Sequence, residues 1–154
     1  MINSISACIL ASFLTIFIAT STGHARVVIK ERTTYYTVTG KTGAALFASI
    51  SRRGPKLGRS RHAIATTTSD IRIKNLKTKI RSGRCVVRSV NVFLNLTYRY
   101  PRWRGKNRAS PAVRRAWNRF ISKARSHERT HGRIAKEHAK KIDRTVRGFK
   151  GRAS

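Results

Sequence analysis

The residues of this chain that could most readily do chemistry are His127, Glu128 and His131, which stand in the order His-Glu-x-x-His. Two residues four positions apart lie about one turn apart on the same face of an α-helix, so both imidazole rings could bind one metal ion. Glu128 is rotated by about 100° from His127, so its carboxylate could accept a proton from water that the metal makes acidic. The spacing therefore predicts two zinc ligands, His127 and His131, and a general base, Glu128.

A long helix is predicted to carry this motif. Ser110 is a favourable N-cap and Pro111 suits the first helical position. Apolar and histidine side chains then recur every three to four residues, as on the core-facing side of a helix. This stripe consists of Val113, Trp117, Phe120, Ile121, Ala124, His127, His131, Ile134, Ala135, His138 and Ile142. On it, both histidines of the motif would be buried without hydrogen-bond partners, and a bound metal would remove that cost.

A zinc hydrolase with one metal ion also needs a third protein ligand and an open position for water. Glu137 has the spacing of a third ligand, but in a straight helix it would lie about 9 Å beyond His131 along the axis. It could reach the ion only if the helix bends, and Gly132 offers a position for the bend. The longer pattern HExxHxxGxxH is not present, because Ile134 and Glu137 stand where it requires Gly and His. The other candidate ligands are His138, His62 and Asp70.

Each candidate also has an ordinary structural interpretation. A lone histidine in a basic helix is more often a core or surface residue than a ligand, and Glu128 could pair with Arg125 three positions earlier. Glu137 could likewise pair with a basic residue four positions away, Arg133 or Lys141. An ion pair accounts for each glutamate but leaves two histidines on an apolar stripe unexplained, which favours the metal site.

The part of the chain before Pro101 is rich in β-branched and aromatic residues and predicts strands. Residues 27–40 read as one or two strands, a short helix follows Thr42, and residues 62–73 read as a further strand. Between Cys85 and Tyr98, apolar residues alternate with mostly polar ones, which is the period of a half-buried strand. The sequence therefore predicts an α+β fold, in which a mainly antiparallel sheet with a short helix precedes the long C-terminal helix that carries the motif.

The first 25 residues differ from all the others because they contain no Lys, Arg, Asp or Glu. The apolar run from Ile5 to Ala19 has the length of a secretory h-region, and Gly23 and Ala25 occupy the small positions of a cleavage site. We therefore expect residues 1–25 to be a signal peptide and residues 26–154 to form one domain in the periplasm or outside the cell, without a membrane-spanning segment after cleavage. The alternative is an uncleaved anchor, although the run is shorter than the ~20 residues that span a bilayer.

The chain carries 35 Lys and Arg against five Asp and Glu, a formal net charge of +30 in 154 residues. Such a charge predicts non-specific contact with anionic cell-surface polymers whatever the function is. The rival function is a secreted binding protein without catalysis, because arginines alternate with aromatic residues as on surfaces that bind single-stranded nucleic acid. These aromatic residues are Tyr98, Tyr100, Trp103 and Trp117. No nucleic-acid-binding motif accompanies them, so no specific nucleic-acid partner is expected.

Four segments also match a known pattern: YYTVTGKTGAALFASISRRGP, AIATTTSDIRI, CVVRSVNVFLNLTYRYPRW and AWNRFISKARSHERTHGRIAKEHA, which together reach from Tyr35 to Ala139. In this succession the chain resembles a bacterial family of secreted proteins with an HExxH motif, a domain of unknown function whose members are thought to be zinc-dependent proteases. The resemblance implies that His127 and His131 bind Zn²⁺, that Glu128 is the catalytic base and that the substrate is a peptide or a protein.

Overall fold

The computed structural model describes residues 27–59 and 61–152, so the predicted signal peptide lies outside the described residues. In chain order the elements are β1 (Val27–Val38), α1 (Gly43–Arg53), β2 (Lys56–Leu57), β3 (Arg61–His62), β4 (Thr66–Arg81), β5 (Arg84–Trp103), a 3₁₀ turn (Lys106–Arg108), α2 (Pro111–Arg147) and β6 (Lys150–Arg152). The predicted α+β fold, with a long C-terminal helix after the sheet, is confirmed. None of the helices in the described part of the chain has the length and hydrophobicity that crossing a bilayer requires.

The main sheet has the strand order β1-β5-β4, with β5 at its centre. β4 and β5 form a long antiparallel hairpin, whose turn at Ser82 and Gly83 has φ angles of 50° and 69° that suit the twist of the two strands. β6 also pairs antiparallel, with the start of β5. β1, however, runs parallel to β5 over its whole length, and the long connection that a parallel pair requires consists of α1, the β2–β3 hairpin and β4.

Both helices begin where the sequence predicts. The Thr42 side chain accepts a hydrogen bond from the backbone N–H of Ala45 at 3.2 Å, which caps α1. The Ser110 side chain accepts one from the backbone N–H of Val113 at 3.4 Å, and Pro111 occupies the first helical position of α2. These local contacts satisfy orphan donors at each helix start, and α2 then continues for 37 residues.

The hydrophobic core is formed mainly by β5, β1 and α2. From Val90 onwards, alternate side chains of β5 are almost inaccessible to solvent, as the alternating pattern predicts: Val90, Val92, Leu94, Leu96, Tyr98 and Tyr100. At the end of β5, Trp103 packs against Trp117 of α2 with ring centroids 5.5 Å apart. The indole N–H of Trp103 donates to the carbonyl oxygen of Gly40 at 3.0 Å, so its polar atom is satisfied within the core.

The side of α2 that faces the sheet is rotated relative to the predicted stripe. Its buried residues are Trp117, Ile121, Glu128, Gly132 and Ala139. The prediction that His127 and His131 face the core is therefore wrong, because both are exposed whereas Glu128 between them is only 7% exposed. Trp117 and Ile121 belong to the predicted stripe, but beyond them the buried residues of the helix are a carboxylate and two small residues, which a search for apolar periodicity does not select.

Gly132 allows the helix to approach the sheet closely. A Cβ atom at this position would overlap the hydroxyl of Tyr98 and would lie 2.9 Å from its Cζ. The Tyr98 hydroxyl in turn donates to Glu31 Oε2 at 3.2 Å, and Glu31 Oε1 pairs with Lys136 Nζ at 2.6 Å. Gly132 thus makes room for Tyr98, whose hydroxyl is also bound by Glu31. The helix α2 continues through Gly132 without interruption.

We expect Gly132→Ala to lower the free energy of unfolding by ~1–2 kcal/mol, because overlap with the Tyr98 ring costs more than the ~1 kcal/mol that alanine gains in a helix. The matched control is Gly43→Ala in α1, where an added Cβ meets no atom within 4 Å and should not destabilise the protein. Urea unfolding followed by circular dichroism measures both. A Gly132→Ala protein as stable as the wild type would contradict this account of the helix contact.

Candidate metal centre

A groove of about 900 Å³ lies between α2 and β4, the strand at the edge of the sheet. Its helix wall carries His127, Glu128 and His131, so the structure brings the three motif residues to one surface. Its sheet wall carries Thr67, Ser69 and other β4 residues, and apolar side chains complete it: Ala63, Ile64, Ala65, Ile71, Phe120, Ala124, Ile134 and Ala135. The groove therefore combines a mostly apolar lining with a small set of polar groups, as binding sites usually do.

The imidazole rings of His127 and His131 converge on the helix wall of the groove. Their Nε2 atoms are 3.1 Å apart, and the two ring planes are at 83° to each other. Two nitrogen ligands of a tetrahedral zinc ion, each about 2.0–2.1 Å from the metal, would be roughly 3.3 Å apart. Two unprotonated nitrogens would repel each other at this distance, so either one donates a proton to the other or a cation binds both. The pair thus has the spacing and the donor chemistry of two zinc ligands.

Glu128 lies on the buried side of α2 and also lines the groove. The Thr67 hydroxyl lies 2.7 Å from Glu128 Oε2, as its donor, and 3.0 Å from the Glu128 carbonyl oxygen. None of the ion pairs in the described part of the chain involves Glu128, and Arg125 instead places its guanidinium 5.8 Å from the centre of the Tyr100 ring. The carboxylate is therefore oriented by a hydroxyl of β4 and not by the arginine that the sequence offered.

The charge of Glu128 also acts on Tyr100 of β5. Burial raises the pKa of the Tyr100 hydroxyl, and the negative charges of Glu128 and Tyr98 raise it further, while Arg129 and Arg125 lower it. Sequence reasoning did not identify Thr67 or Tyr100 as site residues, because each is one of several similar residues in a strand. Only the pairing of β4 with β5, which sets Thr67 opposite Tyr98, places them near the motif.

Glu137, the predicted third ligand, forms an ion pair with Arg133. Its Oε1 lies 3.0 Å from Arg133 Nη1, four residues earlier on the helix, and its side chain is 61% exposed. This is the alternative that the spacing also allowed. Because α2 continues without interruption through Gly132, Glu137 stays about 9 Å beyond His131 along the helix axis.

The three remaining candidate ligands are distributed over the fold. Asp70 pairs with Arg72 at 2.8 Å, and the His62 ring bonds to the carbonyl oxygen of Ser51 at the end of α1. His138 lines the same groove as the motif, about two turns beyond His131. In residues 27–59 and 61–152, no group of three or more His, Cys, Asp or Glu side chains is placed to hold a metal ion. This part of the chain therefore offers two imidazole ligands that face an open groove.

The aromatic residues that favoured a nucleic-acid surface belong to the core. Their side chains are all buried: Tyr98, Tyr100, Trp103 and Trp117. Stacking of bases needs exposed ring faces, so these four residues do not form a stacking surface. The positive charge of the chain therefore still favours the rival function of a secreted binding protein, whereas its aromatic residues do not.

Comparison of the chain with known proteins and protein families identifies its family. No curated protein and no solved structure matches the chain. One family model matches residues 33–154, which include both helices, β4, β5 and the whole groove, and its description is a bacterial protein of unknown function, DUF922. Because the match spans most of the chain, the protein belongs to this bacterial family of unknown function.

Proposed function

We propose that this chain is a secreted zinc-dependent peptidase. The observation that supports the proposal best is the convergence of the His127 and His131 Nε2 atoms, 3.1 Å apart, beside a groove that Glu128 also lines. Two histidine ligands and a carboxylate beside them are among the groups that hydrolysis by a mononuclear zinc enzyme requires, and the third protein ligand is not among the side chains that the described residues bring together here. The proposal therefore rests on the placement of these side chains together and not on the motif alone.

In this proposal His127 and His131 hold Zn²⁺, and Glu128 is the general base. Bound zinc supplies Lewis acidity, which polarises a carbonyl group and lowers the pKa of water to about 7. The Glu128 carboxylate accepts the proton of the attacking water and later delivers it to the leaving amine. Thr67 keeps this carboxylate in place, because its hydroxyl lies 2.7 Å from Oε2 and leaves Oε1 for the proton transfer.

The groove also suits an extended peptide. β4 pairs with β5 along one edge, and its other edge has no partner strand among the described residues. The C-terminal half of β4 carries Lys74, Lys77 and Lys79 and has an irregular register. Both features oppose the addition of another strand at an exposed sheet edge. Residues 66–71 beside the groove contain neither lysine nor arginine and keep a regular register. A peptide could therefore add to this edge as a strand and present a carbonyl group to the motif.

We further propose that the protein acts outside the cytoplasm, because residues 1–25 have the composition of a signal peptide. Protein recovered from the periplasm or the medium should begin at Arg26 or within a few residues of it. N-terminal sequencing or intact-mass measurement tests this. Intact Met1 on membrane-bound protein would instead identify the segment as an anchor.

Ligands and base should be separable by substitution. We expect His127→Ala and His131→Ala to lose zinc, and Glu128→Gln to keep about one zinc per chain but to lose turnover, because an amide retains the shape of the carboxylate and cannot accept a proton. His138→Ala is the matched control and should keep zinc, because His138 lines the same groove but lies about two turns beyond His131. Elemental analysis measures the metal, and release of fluorescent peptides from labelled casein measures turnover.

Equal zinc content in wild type, His127→Ala and His131→Ala would contradict the metal site. Zinc that depends on both histidines, together with undiminished hydrolysis by Glu128→Gln, would retain the site and reject Glu128 as its base. Both measurements should be made at moderate to high salt, because a chain with a net charge of +30 otherwise collects anionic contaminants.

Thr67 should act as a positioning residue. We expect Thr67→Val to lower kcat by about tenfold or more, because the buried carboxylate loses the hydrogen bond that orients it, while KM and zinc content stay unchanged. Thr67→Ser retains the hydroxyl and should restore most of kcat. Steady-state kinetics on all three proteins measure the effect, and a Val variant with wild-type kcat would show that Thr67 does not position the base.

A further inference from the structure

A second concave site lies on the opposite flank of α2, towards β1. This cleft of about 690 Å³ shares no lining residue with the groove that holds the motif. Its sheet wall consists of Glu31 and Thr33, Tyr35, Tyr98 and Tyr100, and its helix wall consists of Arg125, Arg129, Arg133 and Lys136. Because the helix residues are three to four positions apart, their cationic groups form one row along this flank.

The positive charge of this row is concentrated at Arg125 and Arg129. Lys136 pairs with Glu31 at 2.6 Å, and Arg133 pairs with Glu137 at 3.0 Å, so two of the four cations are neutralised. All five acidic residues of the chain are among the described residues, and none of them forms an ion pair with Arg125 or Arg129. The centre of the cleft therefore presents two adjacent guanidinium groups that form no ion pair with an acidic side chain.

Arg125 and Arg129 both line the cleft opposite its sheet wall. The Arg125 guanidinium is 5.8 Å from the centre of the Tyr100 ring. The positive charge of Arg129 lowers the pKa of both Tyr98 and Tyr100 against the raising effect of burial, which is consistent with a position near both hydroxyls. Residues four apart on a helix are separated by about 6 Å along its axis. The two groups are thus close enough to hold one ligand.

We propose that this cleft binds a ligand with two neighbouring phosphoryl groups, as in a diphosphate. Each guanidinium can donate two parallel hydrogen bonds to a phosphoryl group, and adjacent arginines thereby match adjacent phosphoryl groups in geometry as well as in charge. The hydroxyls of Thr33 and Tyr35 at the cleft wall supply further donors. Glu31 does not oppose an anion there, because Lys136 and Tyr98 already occupy its two oxygens. The site is independent of the proposed zinc chemistry.

Inorganic pyrophosphate is the probe, titrated calorimetrically into the mature protein at about 0.15 M salt, where exposed charges are screened beyond ~8 Å. We expect one binding event per chain, and Arg125→Gln/Arg129→Gln should weaken it by about tenfold or more, since each guanidinium contributes charge-assisted hydrogen bonds. The matched control is Arg115→Gln/Arg119→Gln, an exposed pair on the same helix with the same spacing and the same loss of charge. It should change the affinity by less than about twofold, because distant exposed charges are screened.

Two further arms make the assignment specific. Arg125→Lys/Arg129→Lys keeps the charge but removes the planar fork, so its affinity should fall between those of the wild type and the glutamine variant. Pyrophosphate also binds zinc, so the titration is repeated with His127→Ala, which should bind pyrophosphate as the wild type does. Loss of binding in that variant would assign the anion to the metal site instead of the cleft.

Equal weakening in the Arg125/Arg129 and Arg115/Arg119 variants would overturn the proposal, because it would reduce the effect to net charge. No binding by the wild type would overturn it as well. Succinate, which carries two carboxylates, should bind at least about tenfold more weakly than pyrophosphate, since it presents fewer acceptor oxygens to the two forks. Succinate binding as tight as that of pyrophosphate would reject the phosphoryl assignment.

Discussion

The contact between Gly132 and Tyr98 fixes the rotation of α2 about its own axis, and the chemistry of the protein depends on that rotation. With Gly132 against the sheet, Glu128 lies one turn away on the same side. His131 is turned by about 100° to one side of Gly132, and Arg133 is turned by about 100° to the other. The helix therefore presents its histidines to the groove beside β4 and its arginines to the cleft beside β1. A larger residue at 132 would prevent this approach.

In this arrangement the candidate base, Glu128, takes no part in the ion pairs of the described residues. Among the described ion pairs, acidic groups neutralise single cations at the periphery, while Glu128 receives a neutral donor from Thr67. A neutral donor orients a carboxylate without the strong attraction of a guanidinium, which would hold the proton acceptor in an ion pair. The large excess of positive charge thus lies mainly on solvated surfaces, where salt screens it, and not against the candidate base.

The sequence is sufficient for the features that local interactions determine. The caps at Thr42 and Ser110 and the alternation along β5 each depend on neighbours within a few residues, and all three are confirmed. The placement of His127 and His131 on one face of α2 also follows from helix geometry alone. Residues close in sequence on one helix need no tertiary information to be brought together.

Features that depend on contacts between residues distant in the sequence cannot be predicted from local patterns. The parallel pairing of β1 with β5 has no local signal, because the two strands are separated by α1 and β4. Periodicity predicts the wrong rotation of α2, because Ile134 and the histidines resemble a core stripe, whereas the contact with the sheet uses a glycine whose role depends on Tyr98. The role of Thr67 also depends on distant contacts, because only the pairing of β4 with β5 distinguishes it from Thr66 and Thr68.

The candidate ligands and the candidate base consequently depend on different parts of the fold. His127 and His131 are held at their mutual distance by one helical turn, which survives small shifts of the helix against the sheet. Glu128 depends on Thr67 of β4 and therefore on the distance between helix and sheet that Gly132 and Tyr98 set. A perturbation of that contact should disturb the base before it disturbs the imidazole pair. Metal affinity and turnover would then respond differently to changes in the same helix, because only turnover requires α2 and β4 to keep their distance from each other.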